Sequence, residues 1–175
     1  MIVDWHTDQL GTASAAFSED RVYRYALTRR WAAGAPLTAF VMLNPSTAGA
    51  STNDTTIRRC IGFARTWGTA GIVVVNLFGL ISTDPDVMRT HPDPVGPEND
   101  KAIAAALTTE PVDQVVAAWG TTRIPGDRHK RMPDLIRSLG HAPMCLGVTV
   151  AGHPRHPLYL AARTPLEPYP AEARS

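Results

Sequence analysis

Short unbroken apolar runs alternate along this chain with segments whose apolar residues recur every three or four positions. The runs "LTAFVML" (37–43) and "GIVVVNLFGL" (71–80) have the length and continuity of strands buried on both faces, and "VDQVVAAWG" (112–120) and "APMCLGVTV" (142–150) predict a third and a fourth strand. Helical patterns lie between them. Ile57, Cys60, Ile61, Ala64 and Trp67 fall at helical spacing, behind Asp54 as a capping residue and ahead of Gly68 as a stop. "ENDKAIAAAL" (98–107) and "RMPDLIRSLG" (131–140) predict two further helices, and the Pro-rich stretch from Asp84 to Pro97 reads as a loop. Upstream, "RVYRYALTRRW" alternates as an early strand should. Residues 1–20, and residues 161–175 with their Pro and Ala, predict loosely structured ends.

This alternation predicts a single domain over residues 1–175, α/β in class: a three-layer α/β/α sandwich with a mostly parallel central sheet. Ligands of such sheets bind outside the carboxyl ends of the strands. Asn44-Pro45-Ser46, Asn76-Leu77-Phe78, Trp119-Gly120 and the loop from His153 to Tyr159 should therefore converge on one edge.

Composition narrows the field. At 175 residues and 44% apolar content the chain fills one core. No apolar run is long enough to span a bilayer, and "MIVDWHTDQL" lacks the pattern of a secretory leader, so a cytoplasmic monomer away from membranes is expected. Cys60 and Cys145 are too few for a thiolate metal site and read as reduced core residues; no metal or other cofactor is expected. The net charge of +1 does not advertise nucleic-acid binding, although arginines cluster at "TRRW", "IRRC" and "TRIPGDRHKRM". Any contact with a polyanion is then a local patch.

The chemistry expected at the strand ends is two asparagine amides, two histidines and several hydroxyls, with no carboxylate immediately adjoining. That disfavours peptidases and sugar hydrolases built on paired carboxylates. Ser46 lacks the setting of an activated nucleophile, and no phosphate-cradling glycine loop follows a strand. What remains is an amide that orients water or reads a base edge, and a histidine that stabilises a developing anion. Each residue also has a plainer reading: Asn44-Pro45 as a turn initiator, Asn76 as a tie to a neighbouring loop, one of the histidines as a backbone partner, Trp119 as core. Arg58 and Arg59 gain nothing from the helix dipole near a helix N-terminus, which hints that they face phosphate.

"FVMLNPSTA", "IRRCIGFARTWG", "VVVNLF", "VVAAWG" and "HPRHPLYL" together resemble a bacterial family of small proteins of unknown function, from about Tyr23 to Leu160. At superfamily level the chain also resembles uracil-DNA glycosylases and their mismatch-specific relatives. Leu43-Asn44-Pro45-Ser46 stands where those enzymes carry G-x-N-P-G or G-Q-D-P-Y; Val73-Val74-Val75-Asn76 stands for L-L-L-N, and Ala117-Ala118-Trp119-Gly120 for L-L-W-G. His153-Pro154-Arg155-His156-Pro157-Leu158 stands for H-P-S-P-L. Departing from that pattern, the first motif lacks its glycine and is followed by no aromatic residue, which argues against a tight uracil pocket; the small residues of "STAGAST" leave room for a larger base.

The resemblance implies a uracil-DNA glycosylase-like fold and a DNA glycosylase that flips a nucleotide from double-stranded DNA and hydrolyses its N-glycosidic bond. Asn44 would hold the water, and His156 or His153 would donate to the leaving base. Asn76 would read the base edge, within a substrate site completed by Pro45, Ser46, Thr47, Asp54, Phe78 and Trp119. Arg58, Arg59, Arg123, Arg155 and Tyr159 would face the DNA, with Asp54 and Asp93 as loop carboxylates able to assist. The expected base is a hypermodified pyrimidine, such as glucosylated hydroxymethylcytosine of phage DNA, which would make the protein a defence factor. The alternatives are a non-catalytic nucleic-acid or nucleotide-binding module on the same fold, and a hydrolase of free nucleosides.

Overall fold

A computed structural model describes residues 1–121 and 124–170. Among these residues the chain is α/β, with a single eight-stranded sheet in the order β1-β2-β3-β5-β4-β6-β7-β8. The strands are β1 (Ile2–Asp8), β2 (Gly11–Phe17), β3 (Arg24–Arg30), β4 (Leu37–Met42), β5 (Gly71–Asn76), β6 (Val112–Ala117), β7 (Pro143–Cys145) and β8 (Glu167–Pro168). The helices are α1 (Thr55–Thr66), α2 (Pro85–Thr90), α3 (Asn99–Thr108) and α4 (Arg128–Ser138). No helix among the described residues is long and apolar enough to cross a membrane.

The expectation of a mostly parallel sheet is corrected. Pairs β4–β5, β4–β6 and β6–β7 are parallel, whereas β1–β2, β2–β3, β3–β5 and β7–β8 are antiparallel, so the sheet is mixed. The two ends, expected to be loose, contribute three of these antiparallel pairs, and β3 adds the fourth by running against β5. Residues 1–20 form the hairpin β1–β2, turned by Gln9-Leu10, where the Leu10 amide donates to Asp8 Oδ1 at 2.8 Å. Its signal is faint because β2, "GTASAAF", alternates burial with small residues rather than large ones, and β1 is almost wholly exposed. At the other end β8 pairs with β7, and Tyr169 meets the Trp119 ring edge-to-face at 5.7 Å between centroids. The Pro-rich loop also holds a short helix, α2, which Asp84 caps from the side chain with Pro85 in the first turn. The fourth apolar run is strand over Pro143–Cys145 alone, because Gly147 and the turn at Thr149 end the pairing.

Strands β4 and β5 are buried at every position, which is why their sequences lack alternation. Alternate residues feed opposite faces. Ala39, Val41, Val73, Val75, Val115 and Ala117 pack with Ile103 and Leu107 of α3 and with Met132 and Ile136 of α4. Phe40, Met42, Ile72, Val74 and Val116 pack on the other face with Ile57, Cys60, Phe63 and Ala64 of α1. Both cysteines are buried free thiols. Asp54 caps α1 by accepting from the Ile57 amide at 2.8 Å, and the helix ends at Gly68, whose φ of 77° lets the chain reverse into β5. With α1 so fixed, its N-terminus faces the carboxyl edge of the parallel strands.

Candidate active site

The parallel strands run in the order β5-β4-β6-β7, so the chain reverses its direction of winding between β4 and β6. Ligand crevices of open α/β sheets open at such a switch point. Here a cavity of about 460 Å³ lies at that edge. Asn44 and Ser46 reach it from β4, Asn76 from β5, and Trp119 and Gly120 from β6. Arg155, His156 and Tyr159 come from the loop beyond β7, and Asp54 from the cap of α1.

Asn44 is not a bare turn initiator. Its Nδ2 donates to the Ser82 carbonyl at 2.7 Å and to the Pro45 carbonyl at 3.1 Å, while the Ser82 amide donates back to Pro45 at 3.1 Å. Two carbonyl acceptors fix the amide's orientation, and its Oδ1 accepts no hydrogen bond among the described residues. A residue of the cavity wall thus carries an acceptor that the described residues leave free.

His156 is oriented in a complementary way. The Leu158 amide donates to its Nδ1 at 3.3 Å, which leaves the proton of the neutral ring on Nε2 as a donor. Burial pulls its pKa below the usual imidazole value, partly opposed by the Asp54 carboxylate. The ring is therefore neutral near pH 7. Gly120 makes room for it: a Cβ there would come within 3.3 Å of His156 Cβ, and the glycine φ of 73° is one that side-chain-bearing residues rarely adopt. His153 lies elsewhere, its ring 5.2 Å from that of His129 and outside the cavity lining.

Asn76 is 1% exposed and its Nδ2 has no partner among the described residues. Its backbone is held from α3, where Asn99 Nδ2 donates to the Asn76 carbonyl at 3.0 Å and the Leu77 carbonyl at 3.2 Å. Trp119 is equally buried, with Nε1 unpaired. Unpaired buried donors are uncommon in folded proteins. A third belongs to Arg24, which sequence reading passed over. It opens β3, is 3% exposed, lines the same cavity, and has an unpaired Nε. Burial draws its pKa down to about 10, against the pull of Asp54 and with some push from Arg29. The signal lay in topology: β3 is antiparallel to β5, so its first residue lands where β5 ends.

Other expected residues sit apart from the cavity. Pro45 is buried beside Asn44, Thr47 is exposed, and Phe78 is core. Arg58 donates to the Asn53 carbonyl at 2.6 Å, and Arg59 donates to the Leu160 carbonyl and stacks over Phe63. Asp93 accepts from the Gly96 amide at 3.0 Å in a turn. Arg123 lies outside the described residues. Among the described residues no group of three histidine, cysteine or acidic side chains is placed to hold a metal. Ser82, Thr83 and Thr149 add hydroxyls to the wall that the sequence did not suggest.

The loop over residues 48–53 is held from β3: Arg24 Nη1 donates to the Ala48 carbonyl, Arg29 Nη2 to the Thr52 carbonyl at 2.9 Å, and Arg29 Nε to Asn53 Oδ1 at 2.8 Å. This loop lies outside the cavity lining and is tied back to the sheet by buried guanidinium groups, so its small residues do not widen the cavity as expected. The site as a whole offers one oriented acceptor, one neutral imidazole donor, one carboxylate and three unpaired buried donors.

No curated protein and no solved structure matches this chain. The family described as "Protein of unknown function (DUF1643)" matches residues 24–158, a span that begins at Arg24 and includes all the cavity residues above except Tyr159. Since that span is well over half of the 175 residues, the chain belongs to the DUF1643 family.

Proposed function

We propose that this protein is a DNA glycosylase that hydrolyses the bond between a flipped-out base and its deoxyribose. The observation that carries the reading is the pairing, across one cavity, of an acceptor on Asn44 with a neutral donor on His156. Such hydrolysis needs an acceptor to align water below the sugar carbon and a donor where negative charge collects on the leaving base. As the C–N bond breaks, its electron pair passes to the base, and His156 Nε2–H stabilises that charge. The water oxygen bonds to the sugar carbon and its proton goes to Asp54, the carboxylate of the cavity. The unpaired Nδ2 of Asn76 donates to an acceptor on the base edge. The four motifs that resemble uracil-DNA glycosylases support this assignment of roles.

The substrate we infer is an oversized modified pyrimidine, with glucosylated hydroxymethylcytosine of phage DNA as the leading candidate and defence against phage as the consequence. The size of the cavity supports it. The test is to incubate the protein with duplexes carrying uracil, hydroxymethylcytosine or its glucoside and to score alkali-labile abasic sites. Cleavage at the glucoside is expected; an absence of cleavage in all three overturns the reading.

One observation favours a second reading, hydrolysis of free nucleosides. Arg58 and Arg59, expected on DNA phosphates, are engaged with carbonyls of their own chain. Release of base from a free modified nucleoside at the rate seen in a duplex would establish it.

A further inference from the structure

Arg24 has no role in the chemistry above, and its burial is costly. A guanidinium 3% exposed, with only the Ala48 carbonyl as hydrogen-bond partner among the described residues, is a charge taken from water with little return. Its Nε–H has no partner among the described residues. Resting as this does on the glycosylase reading, we propose that Arg24 is the specificity residue of the site, donating to a neutral, hydroxyl-bearing substituent on the pyrimidine.

Position supports this. Across the sheet edge the order is β3, β5, β4, β6, β7, which places Arg24 beside Asn76 and on the side away from the loop of His156. A base held at one end by His156 and read by Asn76 directs anything further toward Arg24. Charge defines the class of substituent. Asp54 lines the same cavity and its field reaches both Arg24 and His156. An anionic substituent therefore meets a carboxylate as well as a cation. A sugar hydroxyl meets no such penalty: it accepts from Nε–H and donates to the hydroxyls of Ser46, Ser82 or Thr83 on the same wall.

The probes are three nucleosides: 5-hydroxymethyldeoxycytidine, its glucoside and 5-carboxydeoxycytidine. Calorimetric affinities are measured for the wild type, Arg24→Gln and Arg24→Lys, the last keeping the charge while removing the Nε–H. The wild type should bind the glucoside at least about tenfold more tightly than the other two, the effect of one good hydrogen bond. Both variants should bring that ratio near one. A ratio near one in the wild type, tighter binding of the carboxy compound, or a ratio that survives Arg24→Lys overturns the proposal. Should Arg24→Gln fail to fold, the wild-type ratio and Arg24→Lys decide. Binding preference without base release from DNA would refute the glycosylase and leave the subsite standing, so the two claims fail separately.

Discussion

Asn44 and Ser82, thirty-eight positions apart in the chain, are joined by an amide-to-carbonyl hydrogen bond of 2.7 Å that turns the Asn44 oxygen away from Ser82. An asparagine closing a buried strand is thereby converted from a turn residue into an oriented acceptor. Asn44→Ala should lower base release by about a hundredfold or more, the scale of losing one preorganised polar group. Stability should fall by only about 1–2 kcal/mol for the lost tie. Single-turnover rates and urea unfolding measure the two effects. Equal release by the variant would return Asn44 to a structural role.

Asp54 serves α1 and the cavity at once, and two variants separate the duties. Asn caps helices nearly as well as Asp, so Asp54→Asn should keep the wild-type melting temperature while losing most of the release rate. Asp54→Ala should lose both, with about 1 kcal/mol of stability gone. Unimpaired release in Asp54→Asn would show that the proton leaves by another route.

His156 ties the site to pH. Its folded pKa lies below the unfolded value, so between the two the unfolded chain binds more protons. Its contribution to stability is full above about pH 6.5 and is lost as pH falls through the lower folded value. Urea unfolding from pH 8 to pH 5 should therefore show a decline that is shallower in His156→Gln. Identical slopes in the two proteins would mean that the ring is not held neutral.

Trp119→Phe leaves a smaller aromatic ring against Tyr169 and removes an unpaired buried N–H. Stability should fall by about 1–2 kcal/mol, the cavity left by the smaller ring outweighing the relief of a buried donor without a partner. Affinity for a substrate nucleoside should drop severalfold if Nε1 meets the ligand. A destabilised variant with unchanged affinity would make Trp119 purely core.

Gly120→Ala tests the close approach to His156. The positive φ and the 3.3 Å clearance leave no unstrained place for the methyl group, so the loop bearing His156 should shift. Release should fall by tenfold or more while secondary structure, by circular dichroism, stays the same. Wild-type activity in this variant would remove His156 from the mechanism.

The central strands and the α1 cap were legible because their signals are local: continuous apolar runs, and Asp54 three residues ahead of the first buried position. The same logic placed Asn44, Asn76, Trp119 and the His153 to Tyr159 loop on one edge. Which histidine faces the cavity was not legible, since a single turn at Thr149–Gly152 turns His153 toward His129 and leaves His156 inside. Arg24 escaped notice for a different reason. Its place depends on the antiparallel pairing of β3 with β5, a non-local fact, and the hairpin that extends this side of the sheet is written in small residues with little contrast.

The most direct measurement is mass spectrometry of the small molecules released when the purified protein meets phage DNA carrying glucosylated hydroxymethylcytosine, beside unmodified DNA. The account predicts free glucosylated base from the first DNA alone, lost with His156→Ala. Silence on both DNAs, with binding intact, would contradict it and make the cavity a recognition pocket rather than a catalytic one.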